Sequence, residues 1–73
     1  MDYIAYIKIN DLWHRVFPRS KKETRFKKME SAVKRLECHA KLLNQNCQGV
    51  VTPGYYGPTA PGFDWDIAET IQL

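Results

Sequence analysis

Ser20–Cys47 reads SKKETRFKKMESAVKRLECHAKLLNQNC, and the spacing of its apolar residues decides the fold. Phe26, Met29, Val33, Leu36, Ala40, Leu43 and Cys47 recur in alternating steps of three and four. That rhythm keeps them on one stripe of an α-helix, whose period is about 3.6 residues. Glu23, Glu30 and Glu37 stand four residues before Lys27, Lys34 and Lys41, the favoured order for helical ion pairs. Ser20 and Glu23 have capping-box spacing, which starts the helix near Lys21. Asn44-Gln45-Asn46 weakens it, and Gly49 is a candidate left-handed residue beyond its end. The pattern predicts one helix over about 21–46.

Upstream, Tyr3–Ile9 (YIAYIKI) and Leu12–Phe17 (LWHRVF) are rich in aromatic and β-branched residues. Asn10-Asp11 between them tolerates the left-handed backbone of a tight turn, so residues 3–17 read as a β-hairpin. A two-residue loop sets Ile9 opposite Leu12, Ile7 opposite His14 and Ala5 opposite Val16, a mostly apolar face suited to the core. Ile4, Tyr6, Lys8, Trp13, Arg15 and Phe17 then occupy the other face.

Downstream, Val50-Val51-Thr52 is a short strand candidate, and a Gly/Pro-rich loop follows over about 53–62. Phe63, Trp65, Ile67, Ile71 and Leu73 alternate with mostly polar residues, which predicts a final strand over about 63–73. A short helix capped by Asp66 is the alternative there. The expectation is a single α+β domain over 1–73, of form ββαβ(β). Its small antiparallel sheet combines the hairpin with one or two C-terminal strands, and one long amphipathic helix crosses a face.

Seventy-three residues bury a modest core, so a fold of this size is marginal. Cys38 and Cys47 lie nine residues apart on the predicted helix, ~13 Å along its axis, beyond the reach of a mutual disulfide. Two cysteines without a bridge point to a reducing, cytoplasmic setting. No apolar run is long enough for a signal peptide or a membrane span. Net charge is +3 but strongly polarised: residues 1–41 hold all 11 Lys and Arg against five acids, and residues 42–73 hold three acids alone. Such a split predicts a basic surface facing an anionic partner, either nucleic acid or an acidic protein surface.

Two surfaces carry that expectation. On the helix, Lys21, Lys28 and Arg35 have no glutamate partner and flank a floor of small residues, Thr24, Ser31 and Cys38. Arg19, Lys22 and Arg25 add cations at the helix N-terminus, a crowding that a bound anion relieves. On the sheet, Tyr6 and Trp13 interleave with Lys8 and Arg15, the residue types that stack bases and hold phosphates. The same types dominate protein interfaces, and a third reading has the C-terminal segment covering them.

Catalytic chemistry is sparse. His14 and His39 lack a nucleophile and acid to work with, Cys38, His39 and Cys47 lack zinc spacing, and Asp64 with Asp66 supplies too few ligands for a cation. The loop glycines lack the phosphate-loop pattern. No enzyme, cofactor, metal or small-molecule substrate is expected. The reading is a stoichiometric binding module, of the size of an accessory or inhibitory protein from a bacterium or phage. The alternative is a structural homodimer paired along Phe26, Met29, Val33 and Leu36. A helix over 21–46 would span ~39 Å against ~23 Å for a seven-residue strand, leaving apolar stripe uncovered.

Overall fold

A computed structural model describes all residues except Met1, Lys21 and Tyr55. Four antiparallel strands form one sheet with a single helix across it: β1 (Tyr3–Ile9), β2 (Leu12–Val16), α1 (Met29–Leu43), β3 (Gln48–Pro53) and β4 (Glu69–Gln72). The strand order is β2-β1-β3-β4. This is the α+β fold expected, with the N-terminal hairpin at one side of the sheet.

The hairpin register is Ala5↔Val16, Ile7↔His14 and Ile9↔Leu12, as a two-residue loop dictates. Asn10 and Asp11 both have positive φ (51° and 65°), the signature of a type I′ turn whose twist matches the strands it joins. β1 pairs β3 on its other side, with Ala5 opposite Val51 and Tyr6 opposite Val50. β3 is buried from Gly49 to Thr52 on both faces of the sheet, so its apolar run reads as a central strand.

The helix begins eight residues later than its periodicity predicts. Residues 22–28 instead cross the sheet's end in a largely non-helical path, and Glu23 N–H closes only a turn onto the Ser20 carbonyl (3.2 Å). Tertiary pairing causes the difference. Phe26 exchanges both backbone hydrogen bonds with Tyr3 (Tyr3 N–H to Phe26 O, 2.7 Å; Phe26 N–H to Tyr3 O, 2.8 Å). The hairpin register would place Pro18 opposite Tyr3, but proline has no N–H to donate. Phe26 fills that vacancy and buries its ring, leaving it 5% exposed. The helical alternative would have stacked Lys22, Arg25, Lys27 and Lys28 at the positive end of the macrodipole.

α1 therefore has 15 residues, or ~22 Å, close to the ~23 Å of β1. The overhang that motivated helix pairing is gone. Ala32, Leu36 and Ala40 form the buried centre of the stripe, with Met29, Val33 and Leu43 packed beside them, against Ala5, Ile7, Val16, Phe26 and Val51. Phe26, Met29, Val33 and Leu36 are thus used inside the chain.

The helix ends at Asn44, which adopts the left-handed conformation (φ 53°, ψ 41°) expected for Gly49. Asn44 N–H donates to Lys41 O (3.1 Å) and Gln45 N–H to Ala40 O (3.4 Å), the paired bonds of a Schellman cap. Gly49 has another role, inside β3. A Cβ there would lie 3.1 Å from methyl carbons of both Leu36 and Leu73, so the missing side chain sets how closely α1 approaches. Cys38 is exposed and Cys47 buried, both as free thiols.

The predicted strand over 63–73 is shorter, because residues 63–68 turn. Asp64 Oδ1 accepts from the Asp66 N–H (2.9 Å), a local bond that competes with extension. Extension resumes at Glu69, and Leu73 N–H closes onto Cys47 O (2.8 Å).

Two substitutions test this account. Phe26→Ala should cost about 3–5 kcal/mol, enough to unfold much of so small a domain. Gly49→Val should cost about 1–3 kcal/mol by overpacking against Leu36 and Leu73. Urea denaturation followed by circular dichroism measures both, and a wild-type midpoint in Phe26→Ala would remove the proposed anchor.

Candidate anion-binding cleft

Residues 18–20, 23 and 26–28, with α1, line a cleft of about 660 Å³. Its walls carry Arg19, Lys27, Lys28, Lys34 and Arg35, while Pro18, Phe26, Ser31 and Cys38 contribute its less polar surface. Five cations face one lining carboxylate, Glu23. That carboxylate is already engaged with Lys27 at 3.8 Å, an exposed contact too weak and too screened to neutralise the site. Glu23–Lys27 is the one glutamate–lysine pair within ion-pair distance among the described residues, and it lies ahead of the helix.

The helix start adds to the positive field. Lys28, the N-cap residue, has an extended backbone and no side-chain capping bond, so the first-turn N–H groups lack the usual carboxylate or hydroxyl acceptor. Glu30 in the first turn offsets this in part. Arg35 Nε is buried with no hydrogen-bond partner, so its guanidinium reaches the cleft wall with donor capacity unused.

Arg19, Lys28 and Arg35 are brought together here, with Ser31 and Cys38 as the small-residue floor. Lys22 is exposed and Arg25 half-buried, both outside the cleft lining, and Lys21 lies outside the described residues. Lys27 and Lys34 join the site although sequence spacing assigns them to glutamates. Their signal was present as part of one crowded run of cations, but the non-helical path of residues 22–28 decides it.

The sheet residues form a separate surface on the opposite face. Residues 56–68 cross that face between β3 and β4 through two successive turns (Ala60 N–H to Gly57 O, 3.0 Å; Phe63 N–H to Ala60 O, 3.1 Å). Gly57 rests on Tyr6, where a Cβ would run into the phenol ring. Tyr6 is thereby half-buried, and Ile4, Val50 and Thr52 are buried on the same face. Beyond this cover the rings reappear. Lys8 Nζ sits 5.6 Å from the Trp13 ring, and the Arg15 guanidinium 4.8 Å from Phe17 while donating to Thr24 O at 2.7 Å. Trp65 and Phe63 join the group, and sequence alternation had placed them on a strand with Ile71. Trp65 lies 6.2 Å from Trp13, and Phe63 meets Trp65 edge-on at 4.7 Å.

Among the described residues no three His, Cys, Asp or Glu side chains converge as a metal set, and no helix is long and apolar enough to cross a membrane. His14 is exposed rather than packed in the core. Compared with known proteins, the chain matches no family model, no curated protein sequence and no solved structure.

The cover over Tyr6 gives a direct check on this geometry. Gly57→Ala should destabilise the fold by about 1–3 kcal/mol through the clash with Tyr6, and Tyr6→Ala in the same chain should recover part of that loss. Independent, additive effects in the double variant would show that the two residues do not touch.

Proposed function

We propose that this protein is a non-enzymatic binding module that holds a nucleic-acid backbone in the cleft lined by residues 18–20, 23, 26–28 and α1. The observation that carries this reading is five cations around one concave surface, with a single lining carboxylate to oppose them. Arginine and lysine serve phosphate in complementary ways there, the guanidinium by paired donors and the ammonium as a point charge. A cleft accepts a narrow, flexible charged chain, whereas an acidic protein surface would meet its rim. A nucleic acid is therefore preferred over an acidic protein, the other partner consistent with the charge.

Binding that uses all five cations predicts a log–log salt slope of about −3.5 on a single strand, from a contribution of about 0.7 per phosphate neutralised. Lys28→Glu and Arg35→Glu should each abolish most retardation of a labelled oligonucleotide at low salt and flatten that slope. Lys41→Glu makes the same charge change at the far end of α1 and should have a much smaller effect. Equal losses from all three would mean that net charge, not the cleft, binds the probe. Lack of any DNA or RNA retardation at low salt would refute the reading outright. Glu23→Gln should strengthen binding while leaving stability within about 0.5 kcal/mol.

A further inference from the structure

The aromatic group on the opposite sheet face sits on the same track as the cleft. Along β2 and just past it, Trp13, Arg15 and Phe17 share the outer face, and Pro18, the next residue, lines the cleft. A row of alternating rings and cations thus leads from Trp65 around the end of β2 to Arg19. Its rings differ in availability. Tyr6 lies under Gly57, Lys8 covers Trp13 and Arg15 covers Phe17. Phe17 and Trp65 are both 50% exposed, but Phe17 carries the Arg15 guanidinium, whereas Trp65 is braced by other rings, Phe63 edge-on and the tilted Trp13.

We propose that the bound nucleic acid is single-stranded and that one of its bases stacks on Trp65, with the adjoining backbone passing Lys8 and Arg15 into the cleft. This rests on the nucleic-acid reading above and specifies the form of the ligand. A half-exposed ring already held by two neighbours can take a stacked base at little cost in side-chain entropy. Asp64 and Asp66 flank Trp65, and Asp64 already accepts the Asp66 N–H. Their charges repel phosphate at the ring itself, so a base, not the backbone, occupies that position. Duplex bases are stacked on one another and cannot use the plane, which sets the selectivity.

The test compares three labelled probes of equal length by fluorescence anisotropy: oligothymidylate, an abasic deoxyribose-phosphate strand and a blunt DNA duplex. Wild-type protein should bind oligothymidylate best. Trp65→Ala should weaken that binding by about 5- to 150-fold, the range for one stacked base, while leaving the abasic strand unchanged. Trp65→Phe, which keeps a ring, should retain most of the affinity, and unchanged abasic binding certifies that each variant is folded. Equal affinity for oligothymidylate and the abasic strand, or an unaffected Trp65→Ala, would overturn the stacking role but leave the cleft standing. Failure of all three probes to bind at low salt would overturn both.

Discussion

The exchange of backbone hydrogen bonds between Tyr3 and Phe26 is the constraint on which the rest of this structure depends. β2 cannot extend opposite Tyr3 because Pro18 falls there without an N–H. Leaving Tyr3's donor and acceptor open at the end of the sheet would be costly, because backbone polar groups without partners forfeit about 1–3 kcal/mol when buried. Phe26 supplies both partners and adds a buried ring to the core. Three consequences follow from one pairing. The helix loses its first two turns, its length comes to match the strand it covers, and the chain ahead of it lines a cleft together with it.

The second face of the sheet is completed without a second helix. Residues 56–68 cross the face on which Ile4, Val50 and Thr52 are buried, and the contact that allows close approach is Gly57 over Tyr6. A sheet covered on both faces by so short a chain needs such economies. The connection ends its crossing against β2, where Trp65 meets Trp13. It then returns to β4 at the opposite edge. Trp65 is therefore positioned by a long-range contact, not by its own strand.

How much could be read from the sequence follows from which interactions were local. The hairpin register was legible because a two-residue turn fixes every later pair, from Ile9↔Leu12 to Ala5↔Val16. The apolar stripe was legible because helical periodicity is local. The start of the helix was not. Ser20 and Glu23 imitate a capping box, and Glu23 with Lys27 keeps helical spacing, so residues 20–28 are locally consistent with a helix that tertiary pairing forbids. Asn44 in place of Gly49 as the left-handed residue shows the same competition. Gly49 was needed where Leu36 and Leu73 leave no room for a Cβ, a demand visible only once α1 is seated. Lys28 and Arg35 were legible by their lack of glutamate partners, and Arg19 as part of the added charge at the expected helix start. The aromatic plane of Trp65 was not, because a side-chain bond from Asp64 turns the chain where alternation implied extension.

The charge arrangement bears on stability as well as on binding. Five like charges on one concave surface repel one another, an effect that water around these largely exposed side chains screens in part. The core that must offset this is small, with Ile4, Ile7, Leu36, Val50 and Val51 as its largest fully buried apolar residues. A chain selected for stability alone would spread those cations or pair them, as the intervals Glu30–Lys34 and Glu37–Lys41 permit. Here Lys34 lines the cleft, and Arg35 buries a guanidinium nitrogen without an acceptor. Both features lower the stability of the fold, Lys34 through repulsion from its cationic neighbours and Arg35 through a buried donor left without an acceptor. The clustering of these cations is thus a cost to the fold and not one of the contacts that hold it together.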